Sequence, residues 1–174
     1  CFPESTLSSV KSVEIVGMTQ FEKIPTELQG TFKKYMNYRE GAAMGLVPTA
    51  DQKVIWYFQW DLRRWPQTLL DPEARSDWLK TELQRWPSLV RKVVGSRDLR
   101  QCHLWRTTDM DLPSRFHKGN VLLVGDAAHP LLTFTSQGVG SALEDGLILG
   151  DALNDWDSTS VDSLDRCLTG FANK

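Results

Sequence analysis

Apolar and polar residues alternate along the first third of the chain. Val13, Ile15 and Gly17 alternate with polar neighbours, and Phe32, Tyr35 and Tyr38 mark a second extended stretch. Next come the small-residue run Gly41-Ala42-Ala43-Met44-Gly45-Leu46-Val47-Pro48, the polar turn Thr49-Ala50-Asp51-Gln52, and Lys53-Val54-Ile55-Trp56-Tyr57-Phe58-Gln59-Trp60. β-Branched and aromatic residues make this last run the strongest strand in the sequence. Two strands joined by a short polar turn predict an antiparallel hairpin. Alternation sends Trp56 and Phe58 to one face and Tyr57 to the other. One of these faces must be core, so at most half of the aromatic residues can meet a ligand.

The period then becomes helical. Asp71-Pro72-Glu73 supplies an N-cap, a proline at the first helical position and an acid in the first turn. Trp78, Leu79, Leu83 and Trp86 fall on one helical face, Pro87 ends that helix, and Ser88 to Val94 predict a second, short one. His103-Leu104-Trp105-Arg106 reads as a strand, and Pro113 through Gly119 as a loop. Val121-Leu122-Leu123-Val124 is a continuous apolar run of strand length, the pattern of a strand buried on both faces of a parallel sheet. It leads into Gly125-Asp126-Ala127-Ala128-His129-Pro130. Ser136 to Trp156 predict a long helix with Leu143, Leu147, Leu149, Ala152, Leu153 and Trp156 apolar, and Val161 to Phe171 a last amphipathic one.

Composition narrows the class. With 174 residues, 41% of them hydrophobic, the chain can bury a real core. A formal net charge of -2 argues against a general nucleic-acid binder, which would carry a basic surface. The sequence has no apolar run of about 18 residues, the length a membrane-spanning helix needs. Cys1, Cys102 and Cys167 are far apart and form neither a Cys-x-x-Cys pair nor a zinc spacing. They predict reduced thiols, a cytoplasmic location and no metal site. The chain opens on Cys1-Phe2-Pro3-Glu4-Ser5, which is neither a signal nor a transit peptide and reads as a cut edge. Seven Trp suit either an aromatic core or a surface for flat ligands.

The densest chemistry lies between Val121 and Gly140. A strand ending at Asp126 delivers a carboxylate to the place where α/β sheets gather ligands, and that carboxylate can accept from the hydroxyls of a sugar or sugar alcohol. Taken alone, such an Asp also reads as a helix or loop cap. Gly125, Ala127 and Ala128 are small enough to let a bulky ligand approach the backbone. Gly138 and Gly140 flank a helix start, whose unpaired N–H groups and positive dipole end favour anionic atoms. A hydroxyl acceptor and an anion site one loop apart suit a nucleotide-like cofactor with a polyol chain. His129 is expected to hydrogen-bond locally and fix the loop. Glu144 and Asp145, adjacent on a helix, point different ways, which predicts capping, solvation or packing rather than a shared acid–base pair. No residue is assigned a catalytic role.

Gly125-Asp126-Ala127-Ala128-His129-Pro130, followed by Gln137-Gly138 and Glu144-Asp145, resembles the second FAD-binding fingerprint of the single-component flavoprotein monooxygenases. These are the aromatic hydroxylases related to para-hydroxybenzoate and salicylate hydroxylase. Met44-Gly45-Leu46-Val47-Pro48 through Trp56-Tyr57-Phe58 is similar to that family's substrate-domain sheet. The resemblance implies an α+β/α/β protein. An antiparallel substrate-domain sheet with helices would occupy residues 1–118. The C-terminal strand and helix of a Rossmann-like FAD-binding domain would occupy 119–174.

It further implies that Asp126 binds the ribityl chain, while Gly125, Ala127 and Ala128 give close backbone approach. Pro130 would sit against the isoalloxazine ring, and Gly138, Val139 and Gly140 would offer N–H groups to the flavin N1/C2=O edge. The implied chemistry is hydroxylation of a small aromatic or polycyclic molecule, with NAD(P)H as co-substrate and O2 as oxidant. A reductase, a halogenase or a non-catalytic binding module are the alternatives. Thr133, Ser136 and Gly140 stand where the family usually has proline, glycine and asparagine. The family's opening Gly-x-Gly-x-x-Gly does not occur in this sequence. The expectation is therefore a chain without the N-terminal dinucleotide-binding half, which another chain would supply.

Overall fold

The computed structural model describes residues 6–64, 71–95 and 98–173; the opening residues 1–5, read above as a cut edge, lie outside them. The chain divides into two units: Val10–Thr107, and residues 108–174 together with those up to Ser9. The sequence pattern predicts a division at 118/119. The structure divides at 107/108 because β6 (His117–Lys118) pairs with β7 (Val121–Leu122), which takes the preceding loop into the second unit.

The first unit is a five-stranded sheet with two helices. Its strands are β1 (Leu7–Gln20), β2 (Lys33–Asn37), β3 (Ala42–Pro48), β4 (Lys53–Asp61) and β5 (His103–Met110), in the order β2-β3-β4-β1-β5. The predicted hairpin is β3–β4, antiparallel, with Gly45 opposite Tyr57 and Leu46 opposite Trp56. Its turn closes through the Thr49 amide, which donates to the Lys53 carbonyl at 2.8 Å. α1 (Pro72–Leu83) starts as the sequence indicates: the Asp71 carboxylate accepts from the Ala74 amide, with Pro72 at the first helical position. α1 gives way to a tighter turn after Leu83, and α2 (Ser88–Val94) follows Pro87.

Alternation on β4 decides the core. Val54, Trp56, Phe58 and Trp60 are buried with Val13 and Ile15 of β1, Met44 and Leu46 of β3, Leu79, Leu83 and Trp86 of the first helical region, and Val90, Val93 and Val94 of α2. Phe58 stacks on Trp60 at 5.5 Å and meets Trp86 edge-on at 5.7 Å, geometries that aromatic quadrupoles favour. Trp56, Trp60 and Trp86 are thus core, with Trp78 packed against it. Two glycines make room for rings. Trp56 lies across Gly17, its partner on β1, and Tyr57 lies across Gly45, its partner on β3. A Cβ at either glycine would fall inside the ring.

The second unit holds the β6–β7 hairpin, α3 (Gly138–Leu153) and α4 (Val161–Ala172). Ser160 caps α4, whose Cys167, Leu168 and Phe171 are buried, and α4 packs along α3. One expectation fails here. Val121 to Val124 do not form a strand buried in a parallel sheet: β7 is two residues long, its sheet neighbour is the antiparallel β6, and Val121 is 49% exposed. An apolar run is buried only where other layers cover it, and among the described residues this one has a single short neighbour.

Candidate flavin-binding loop

Gly125 turns the chain out of β7. Its φ of +55° is one that side-chain-bearing residues rarely adopt, and a Cβ there would sit 3.3 Å from the Ala142 Cβ on α3. Residues Gly125–Ala127 form a single 3₁₀ turn. The Ala128 and His129 amides both donate to the Gly125 carbonyl at 2.9 Å, closing the loop. Ala128 is buried beneath it, Pro130 is half-buried, and Asp126 and Ala127 face solvent.

α3 begins at Gly138 rather than Ser136. Ser136 has φ +57°, a left-handed backbone that explains why glycine suits this position. Among the described residues no side chain caps the start of α3. The first helical bond there runs from the Ser141 amide to the Gln137 carbonyl, so the amides of Gly138, Val139 and Gly140 precede it and have no helical acceptor. The loop brings Asp126 to this helix end: its Oδ1 lies 3.5 Å from where a Gly138 Cβ would stand. An exposed carboxylate and a row of amides without helical acceptors are therefore neighbours. Val139 and Gly140 are exposed on the first turn, and nothing lies within 4 Å of a Cβ at Gly140.

The feature that sequence reading missed is Asp145. Its Oδ2 accepts from the Gly125 amide at 2.6 Å and lies 2.7 Å from His129 Nε2. His129 does hydrogen-bond locally, as its place in the loop predicts. Glu144 points to solvent, so the two adjacent acids do diverge. Helix period could have put Asp145 on the same side as Ala142 or Ser141, but it could not show that the loop returns to it.

In the first unit, the sheet face opposite the core carries Glu14 beside Gln59 and Val16 beside Tyr57. Gln59 Nε2 is shielded from solvent and has no hydrogen-bond partner among the described residues. Burial, and then the Glu14 carboxylate, raise the Tyr57 phenol above its ordinary value. This is the half of the β4 alternation that the core does not use.

The loop and helix end fit the dinucleotide that the fingerprint implies: a left-handed glycine, an exposed carboxylate and uncapped amides. Comparison with known proteins agrees. The FAD binding domain family matches residues 4–160. The chain belongs to this family. Monooxygenase 2 of Arabidopsis thaliana is 30% identical over 150 residues, covering 81% of this chain and 35% of its own length. The 3-amino-4-hydroxybenzoate 2-monooxygenase PtmB3 of Streptomyces platensis is 32% identical over 100 residues, 58% of this chain and 24% of that protein. In fold, HpxO of Klebsiella pneumoniae, solved with FAD and uric acid, superposes with a TM-score of 0.75 at 20% identity, covering 95% of this chain and 40% of that one. The chain thus spans well under half the length of each of these relatives. Among its described residues, no helix is long and apolar enough to cross a membrane.

Proposed function

We propose that this chain contributes the ribityl-binding loop and the substrate-domain sheet of an FAD-dependent monooxygenase that hydroxylates a small aromatic or polycyclic molecule with NAD(P)H and O2. The observation that carries the reading is the meeting of Asp126 with the uncapped end of α3 across Gly138. Asp126 accepts hydrogen bonds from ribityl hydroxyls. Gly125, Ala127 and Ala128 keep the backbone accessible, and Pro130 borders the ring. The amides of Gly138, Val139 and Gly140 stabilise negative charge at the flavin N1/C2=O edge, aided by the helix dipole. Bound FAD would supply the redox chemistry, with NAD(P)H as reductant, one atom of O2 entering the substrate and the other leaving as water; the protein binds, orients and shields. The relatives named for 3-amino-4-hydroxybenzoate and urate favour a ring bearing hydroxyl or amino groups, for which Glu14, Tyr57 and Gln59 supply polar partners on the sheet face opposite the core.

The ADP part of FAD needs a dinucleotide-binding half that the described residues do not contain. α3 supports its existence as a separate segment or chain. No residue of α3 is buried, and Val139, Leu143 and Leu147 form a ridge at helical spacing, with Leu143 67% and Leu147 73% exposed. In a parallel FAD-domain sheet, Val121 to Val124 and this ridge would be covered together. Cysteines as widely spaced as Cys1, Cys102 and Cys167 suit a cytoplasmic enzyme with reduced thiols.

The test is retention of flavin absorbance after FAD is added and excess removed, with the chain alone and beside an ADP-binding half. Asp126→Ala should weaken FAD binding roughly tenfold. No retention in either setting overturns the reading in favour of a non-catalytic module. NAD(P)H oxidation stimulated by candidate aromatics, with a hydroxylated product, separates a hydroxylase from a reductase or halogenase.

A further inference from the structure

We infer that Asp145 is a positioning residue for the flavin loop, holding Asp126 in place through Gly125 and His129. The inference rests on the FAD reading above. One carboxylate oxygen, Oδ2, takes both contacts: the Gly125 amide donates to it at 2.6 Å, and His129 Nε2 lies at 2.7 Å. A carboxylate oxygen only accepts, so Nε2 is a protonated nitrogen of the ring.

These two contacts bracket Asp126. Gly125 precedes it, His129 follows three residues later, and the amides of Ala128 and His129 both return to the Gly125 carbonyl. The loop is thus a closed turn fastened at both ends to one atom of α3. The side chains of His129 and Asp145 are only 19% and 15% exposed, so water competes little for these bonds. Asp126 has no hydrogen-bond partner among the described residues and faces solvent. Its direction is therefore set by the backbone that carries it, and that backbone is held by Asp145. Left unfastened, the turn could swing Asp126 away from Gly138 and the helix end.

The family fingerprint spans these residues but leaves the acid on α3 without a task. Geometry supplies one more specific than the capping, solvation or packing that the sequence suggests. Glu144, the adjacent acid, is exposed and serves as a control that changes charge without touching the loop.

The test combines two measurements on the full chain, alone and in its FAD-loaded state. Amide hydrogen exchange at Gly125 reports the fastening without any flavin. Asp145→Ala should speed that exchange roughly tenfold or more, as loss of a charge-assisted bond predicts, while Glu144→Gln leaves it unchanged. The FAD dissociation constant should rise roughly tenfold in Asp145→Ala, and this increment should vanish in the Asp126→Ala background. His129→Gln, which keeps a donor, should retain more affinity than His129→Ala; this pair stands in if Asp145→Ala does not fold. Gly125 exchange within about twofold of wild type would overturn the fastening. Equal losses of FAD affinity with and without Asp126 would overturn action through Asp126. A wild-type protein that binds no FAD would remove the flavin reading, and Gly125 exchange would then decide the fastening alone.

Discussion

Thr19 joins three elements of the first unit's core with one hydroxyl. It is 2% exposed on β1, donates to the Val93 carbonyl of α2 at 2.7 Å, and accepts from the Trp56 indole N–H of β4 at 3.2 Å. Thr19→Val keeps the shape of the side chain and deletes both bonds. Trp56 is fully buried, so its N–H is left without water. A buried donor stripped of its partner costs about 1–3 kcal/mol. The expected loss is about 2 kcal/mol, which lowers the melting temperature by about 4–8 °C for a chain of this size. Thr19→Ser removes one methyl but keeps the hydroxyl, and should cost about 1 kcal/mol. Urea unfolding followed by tryptophan fluorescence, with thermal melts by circular dichroism, gives both values. If Thr19→Val changes stability by less than about 0.5 kcal/mol, or if Thr19→Ser is the more damaging change, the methyl and not the hydroxyl holds this site, and the reasoning fails.

Further expectations follow from single contacts. Asp71→Ala removes the cap on the Ala74 amide and should cost about 1 kcal/mol in the same unfolding assay. Gly45→Val drives side-chain atoms into the Tyr57 ring and should destabilise by about 1–3 kcal/mol, with Tyr57→Ala restoring part of the loss. The hydrogen bond from Arg63, opposed by some burial, holds the Asp61 carboxyl below its ordinary value. Its contribution is therefore present above the usual carboxylate range and lost as pH falls through the depressed value. Asp61→Asn should flatten the acid limb of stability against pH by less than about 1 kcal/mol, because Arg63 is largely exposed. Leu143→Lys with Leu147→Lys should leave the melting temperature of the isolated chain nearly unchanged yet abolish its capture by an ADP-binding half in a pull-down.

Much of the first unit could be read from the sequence because its signals are local. Alternation from Val54 to Trp60 separated Trp56 and Phe58 from Tyr57, Asp71-Pro72 marked where α1 starts, and a polar turn marked the β3–β4 pairing. The order of strands, with β1 placed between β4 and β5, depends on contacts between distant residues and could not be. Gly17 and Gly45 are in the sequence simply small residues of extended stretches; only the register shows that each is vacated for a ring on the neighbouring strand.

The sequence by itself determined the residue types of the candidate flavin loop. Gly125-Asp126-Ala127-Ala128-His129-Pro130 carries its residue types in a fixed order, and a turn of this kind is formed by neighbours. Tertiary structure decided what holds that loop. Asp145 lies 20 residues beyond Gly125 and reaches it only because α3 folds back beneath the turn. It also decided the fate of Val121 to Val124. Their hydrophobicity is a property of the chain, but burial is a property of its neighbours, and the described residues supply those neighbours only in part.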